Sequence, residues 1–271
     1  NTPVSKFGSS CAVSDKFIEK VAKMGIMQTA CDLTNVKQKN DAKKSDGSQS
    51  RKIRGIPKLT DANFAGMAGK SHTCTLIFCE GDSAKAGIIS GLSKDDRNII
   101  GVYPMRGKLF NVRGETHKRI YDNKEITEIK QILGLETGKK YDNEEIIKQS
   151  LRYGRILFMT DQDLDGSHIK GLGINLFQSE WNTLFQIPNF VGFMNTPILK
   201  ATKGGNKLVF YNDGEYNLWK EENNTDGWKI KYYKGLGTST SAEFKEYFAN
   251  KKIVTFEYNG NTSEDSIDMV F

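Results

Sequence analysis

The apolar positions of this 271-residue chain recur with two different periods, and the change of period marks its elements. Between residues 14 and 30 ("SDKFIEKVAKMGIMQTA"), Phe17, Ile18, Val21 and Ala22 fall at helical spacing behind Ser14, a suitable N-cap, with Gly25 as an end or bend. Residues 37–52 carry no apolar rhythm and read as linker or disorder. A turn around Pro57 in "GIPKLTDANFAG" then returns the chain to order. Strand and helix patterns alternate from there: a short apolar strand at 74–81 ("CTLIFCEG"), a helix at 82–92, and a strand at 98–104 ("NIIGVYP"). A helix at 122–133 follows, with Ile126, Ile129, Ile132 and Leu133 on one stripe, and a short helix at 142–151. A strand at 155–161 ("RILFMTD") leads into a helix at 166–181. The strand at 155–161 is too continuously apolar to have a wet face, which predicts a central, parallel position.

This alternation predicts an α/β fold: a doubly wound, mainly parallel sheet flanked by helices. Ligands of such sheets gather beyond the carboxyl ends of the strands, and Glu80 and Asp161 stand at two of those ends. After Pro197 the texture changes. "KLVFYNDGEYNLW" and "WKIKYYKGLG" predict strands joined by a Gly-rich turn, 241–252 predicts a helix with Phe244, Tyr247 and Phe248 on one side, and "KIVTFEYNG" predicts a strand. The expected organisation is an N-terminal helical and linker segment over 1–71, a core domain over 72–200 and a smaller α+β extension over 201–271.

Composition adds three limits. Hydrophobic residues make up 37% of the chain, enough for a real core, and no run approaches the 18 apolar residues of a membrane-crossing helix. Both ends read as cuts from a longer protein. Four scattered cysteines (Cys11, Cys31, Cys74, Cys79) suit reduced, mostly buried thiols of an intracellular protein; Cys74 and Cys79 are five apart in a strand and face opposite ways. Net charge is +6, and residues 36–58, with eight Lys or Arg and two Asp, account for all of it. Such a strip on a neutral body suits a polyanion partner or a solvated linker.

Against that background "MTDQDLDGSHIKGL" stands out, with Asp161, Asp163 and Asp165 at alternate positions before Gly166. In an extended segment the three carboxylates point to one side, and mutual repulsion calls for a cation; Mg²⁺ takes oxygen ligands of this kind. A calcium-binding EF-hand fails because its twelfth position is Leu172 and the incoming segment reads as strand. A haloacid-dehalogenase-type phosphatase, with Asp163 as nucleophile and Asp165 as acid/base, is an alternative that leaves Asp161 without a role. "AGMAGKS" is no phosphate-binding loop, since Phe64 occupies the place of its first glycine.

"CEGDSAKAG", "YPMRGKLFNV", "MTDQDLDGSHIKGL" and "YYKGLGTSTSAEFKEYF", in this order, together resemble the DNA-gate region of type IIA DNA topoisomerases, in their eukaryotic topoisomerase II branch. The resemblance extends over essentially the whole chain, including "FGSSCAVSDKF" and "RGIPKLTDANFAG". It implies a TOPRIM-type fold in which Glu80 is the catalytic glutamate and Asp161, Asp163 and Asp165 are the acidic triplet. These four would hold Mg²⁺, or Mn²⁺ or Ca²⁺ in its place, for cleavage and religation of double-stranded DNA. It further implies DNA contacts by Arg106, Lys108, His168, Lys170 and Lys234. The parent would be a nuclear homodimer that uses ATP in a domain on the N-terminal side, with the attacking tyrosine on a C-terminal winged-helix domain of the opposite subunit. The chain by itself would then be inactive, with no membrane involved and with poor order at 36–52, a variable insert in this family. Where the family usually has Gln or His, this chain has Leu164, between the expected ligands. A noncatalytic DNA-clamping module is the other reading.

Overall fold

The computed structural model describes residues 13–271; Cys11, of the cysteines above, lies outside them. Helix α1 (Asp15–Lys23) starts where expected: the Ser14 side chain accepts the Phe17 N–H, and Gly25, at φ 70°, breaks the chain before α2 (Ile26–Lys43). The apolar stripe of α1 lies open, with Phe17 and Ile18 more than half exposed and no residue of the helix buried.

The segment 36–52 departs from the expected linker. It continues α2 to Lys43 and then runs as a strap against the body of the protein. Lys130, fully buried on a later helix, explains why: its ammonium lies 2.6 Å from Asp46 Oδ1 and donates to the Ala42 carbonyl at 2.8 Å. The Gln49 amide donates to Ser71, Lys148 and Leu151, so polar rather than apolar contacts order this stretch. Hydrophobic periodicity carries no signal for that.

The main sheet contains β1 (Thr75–Glu80), β2 (Ile100–Met105), β3 (Arg155–Met159), β4 (Val191–Asn195) and β8 (Lys252–Thr255) in the order β2-β1-β3-β4-β8. The first four are parallel and β8 pairs antiparallel with β4. Between them run α3 (Gly81–Gly91), α4 (Lys94–Ile99), α5 (His117–Asp122), α6 (Lys124–Leu133), α7 (Glu144–Ser150), α8 (Leu164–Glu180) and α9 (Asn182–Phe185). Helix α4 takes the first two residues of the expected strand at 98–104, because Ser93 and Asp96 form a capping box at its start.

Alternate residues of each strand enter two cores. Leu76, Phe78, Ile156 and Phe158 pack with Ile126, Ile129, Leu172 and Leu176 on one face. Ile77, Cys79, Leu157 and Met159 pack with Ile88, Phe244 and Phe248 on the other. Cys74 and Cys79 thus serve different faces, and burial pushes their thiols up to about 11 and about 12.

The C-terminal part is only partly separate. A three-stranded antiparallel sheet, β6 (Asn206–Phe210), β5 (Leu199–Lys203) and β7 (Lys229–Tyr232), packs Phe210 with Tyr216, Trp219 and Trp228. The expected strand through "FYNDGEYNLW" is instead α10 (Asp213–Glu222): the Asn212 side chain accepts the Glu215 N–H, and the Glu215 carboxylate accepts the Tyr211 N–H. Helix α11 (Ser241–Ala249) covers the second face of the main sheet, β8 completes its edge, and α12 (Asn261–Val270) sends Ile267 into the first core. Part of the expected 201–271 extension is therefore built into the main body.

Candidate metal centre and nucleic-acid interface

The parallel pairing of β1 with β3 aligns Cys79 with Met159, so Glu80 and Asp161 leave neighbouring strands at the same edge of the sheet. Adjacent strands lie about 4.8 Å apart, so residues 81 positions apart in sequence become neighbours. Burial raises the Glu80 carboxyl above the usual range, and the charges of Asp161, Asp163 and Asp165 raise it further, opposed by Lys108.

The three aspartates do not share one extended segment. Asp163 is the N-cap of α8, its Oδ1 accepting the Gly166 N–H at 2.7 Å, and Asp165 already lies in the first helical turn. The cap sets where the helix begins, and this removes the alternation expected from the spacing. Gly166 is needed there because a Cβ would stand 2.0 Å from the Asp161 carbonyl oxygen. Asp165 Oδ1 lies 2.9 Å from Lys108 Nζ, and Asp161 Oδ1 accepts the Leu236 N–H at 2.7 Å. Leu164, between two of the acids, is 89% exposed and touches none of this chemistry.

Among the described residues, no three Asp, Glu, His or Cys side chains meet at a point ready to hold an ion. The donor set nonetheless suits a hard cation: four carboxylates cluster beyond the strand ends, and Glu80 among them is raised first by burial and then by the charges of the other three. A divalent ion would relieve that repulsion.

The expected basic contacts are unevenly placed. Arg106, just beyond β2, is exposed, while its backbone N–H donates to Glu125 Oε1 at 2.8 Å. Lys108 is committed to Asp165. His168 is exposed on α8; Lys170, two residues on, is half-buried, with its ammonium 5.8 Å from the Phe193 ring centre, and burial lowers its pKa against the pull of Asp163. Lys234 is exposed next to the loop that reaches Asp161. Lys70, in the false phosphate loop, sits 4.4 Å from the centre of the Phe64 ring.

Sequence reasoning missed the role of Gly235 and Leu236 beside Asp161. The signal available was "KGLG", two glycines around one apolar residue, a pattern that permits close approach of backbone to another group.

Comparison with known proteins accords with this architecture. Residues 75–189 match the Toprim domain, and residues 194–271 match the C-terminal associated domain of TOPRIM. DNA topoisomerase 2 of Drosophila melanogaster is 48% identical over 269 residues, covering 98% of this chain and 18% of that protein. DNA topoisomerase 2 of Plasmodium falciparum is 48% identical over 273 residues, covering 98% and 19%. The crystal structure of the Plasmodium falciparum topoisomerase II DNA-binding, cleavage and re-ligation domain superposes with a TM-score of 0.76 at 49% identity, covering 82% of this chain and 30% of that one. The chain spans about a fifth of the length of these curated relatives. The Toprim match leaves no place for the phosphatase alternative. With a Toprim domain and its C-terminal associated domain in tandem, the chain belongs to the eukaryotic-type DNA topoisomerase II family.

Proposed function

We propose that this chain forms the metal-binding part of the DNA cleavage and religation centre of an ATP-dependent type II topoisomerase, which passes one duplex through a transient double-strand break. The observation that carries the reading is the shared strand edge of Glu80 and Asp161, with Asp163 and Asp165 close enough to raise the Glu80 carboxyl.

Glu80 and Asp161 would hold the ion nearest the scissile phosphate, with Asp163 and Asp165 serving a second position. Mg²⁺, when bound, supplies Lewis-acid stabilisation of charge developing on the departing 3′ oxygen. Glu80, with its raised carboxyl, is also suited to hold a proton for that oxygen. Arg106, Lys108, His168, Lys170 and Lys234 would contact backbone phosphates, which position a duplex without reading its sequence. The attacking tyrosine oxygen would come from the winged-helix domain of the other subunit in a nuclear homodimer, and ATP would be used elsewhere in the longer protein.

The test uses the full-length protein. Glu80→Ala or Asp161→Ala should abolish Mg²⁺-dependent cleavage of supercoiled DNA while leaving duplex affinity within a few fold, since the lost interactions act in the transition state. Cleavage at the wild-type rate would overturn the assignment and favour a noncatalytic DNA clamp.

A further inference from the structure

The loop 234–238 lies outside the acidic phrases, yet it touches one of their carboxylates. The Leu236 N–H donates to Asp161 Oδ1 at 2.7 Å, and the Leu236 side chain is buried in the second core beside the strands that carry Glu80 and Asp161. Gly235 is extended (φ −176°), so its requirement is for space: a Cβ there would stand 2.2 Å from Asp161 Oδ2. The Asp161 carboxylate therefore rests against two consecutive backbone positions of a loop 75 residues away in sequence.

That loop is buckled at both ends by one side chain. Glu243, 8% exposed, accepts from Lys231 Nζ at 2.8 Å and from the Tyr233 hydroxyl on the incoming side. On the outgoing side it accepts from the Thr240 N–H at 2.8 Å and the Thr240 hydroxyl at 3.1 Å. Between these anchors, the Thr238 N–H closes a tight turn onto the Gly235 carbonyl at 3.0 Å. Nothing in cleavage chemistry requires this buckle, but it fixes where the Leu236 N–H points.

We propose that Gly235, Tyr233 and Glu243 are positioning residues for the metal centre: the buckled loop holds the Asp161 carboxylate in the orientation in which it can share a divalent cation with Glu80. This rests on the metal-binding reading above. The Leu236 N–H on one oxygen and the Gly235 backbone against the other fix the direction of the Asp161 side chain. Partners of this kind typically change metal affinity by about 10–100-fold.

The experiment titrates the 271-residue chain with Mn²⁺ by electron paramagnetic resonance and follows hydrogen exchange of the Leu236 amide by NMR. Gly235→Ala should weaken Mn²⁺ binding by about tenfold or more. Tyr233→Phe, which removes one hydroxyl, should speed Leu236 exchange and weaken Mn²⁺ severalfold, with the amide spectrum elsewhere unchanged as the check on folding. Asp161→Ala is the reference for loss of the ligand itself. If Asp161→Ala loses Mn²⁺ while Gly235→Ala and Tyr233→Phe bind as wild type or more tightly, the loop does not position Asp161, and the metal reading stands without it. If the wild-type chain binds no Mn²⁺, or Asp161→Ala binds as well as wild type, the metal reading fails and takes this inference with it.

Discussion

Lys108 Nζ lies 2.9 Å from Asp165 Oδ1, joining the turn after β2 to the first turn of α8. The contact brings the basic "MRGK" phrase and the acidic triplet to the same place, and the Lys108 hydrogen bond holds the Asp165 carboxyl below its usual range. Lys108→Met should therefore move the Asp165 titration upward, measured by carboxyl ¹³C NMR. A carboxyl lowered on folding contributes stability above its unfolded pKa and loses it as pH falls. Here both partners are largely exposed, so the thermal midpoint of the variant should stay unchanged near neutral pH. A large drop in midpoint would mean that the pair is structural.

Duplex binding by the proposed basic contacts should be steeply salt-dependent. Each lysine or arginine that neutralises a phosphate contributes about 0.9 to the slope of log affinity against log salt. Replacing Lys234 or Arg106 by alanine should flatten that slope by roughly this amount and weaken binding equally across DNA sequences. A change confined to one sequence would point to base contact instead.

Arg152 anchors the strap. Fully buried, it pairs with Asp61 and donates to the Ser50 and Ile132 carbonyls at 2.7 Å each. Asp61→Ala leaves a buried guanidinium without its counter-charge and should cost about 3–5 kcal/mol in urea unfolding. Replacing the pair by apolar residues of similar size should cost much less, which separates the stranded charge from the loss of packing.

Glu243 predicts an acid-sensitive C-terminal part. Burial would raise its carboxyl, but hydrogen bonds from Lys231, Thr240 and Tyr233 outweigh this and hold it at about 2, below the ordinary 4.5. A carboxyl lowered on folding binds its proton more readily in the unfolded chain. Its stabilisation is thus complete above about pH 5 and is lost as pH falls toward 2. The full difference corresponds to ~3 kcal/mol. Urea midpoints of wild type and Glu243→Gln, compared between pH 6 and pH 2.5, should converge on acidification; parallel curves would sink the assignment.

Phe244 fills the space that two glycines of α3 leave open. A Cβ on Gly87 would stand 2.3 Å from its ring, and one on Gly91 would stand 2.6 Å from its Cβ. Phe244→Ala should cost about 3–5 kcal/mol by leaving a cavity. Gly87→Ala alone should also destabilise, but less so in the Phe244→Ala background, where the added methyl has room; additive losses would refute direct packing.

Much of the architecture was legible because it follows from local periodicity. The run at 155–161 is apolar on both faces, which places it centrally in a parallel sheet, and the alternation of strand and helix puts Glu80 and Asp161 at the carboxyl edge of that sheet. The α6 stripe of Ile126, Ile129, Ile132 and Leu133 is buried as its spacing demands. What periodicity does not encode is the partner of each polar group. The direction of the Asp163 and Asp165 carboxylates depends on a cap at the start of α8 and on Lys108; the order of residues 44–52 depends on buried Lys130 and Arg152. Strand β8 reads as a strand in any setting, but only the exposed edge of β4 makes it the last strand of the main sheet. The loop at Gly235 reaches Asp161 through a contact between distant segments, whose energy exists only once both are in place; local sequence carries no record of it.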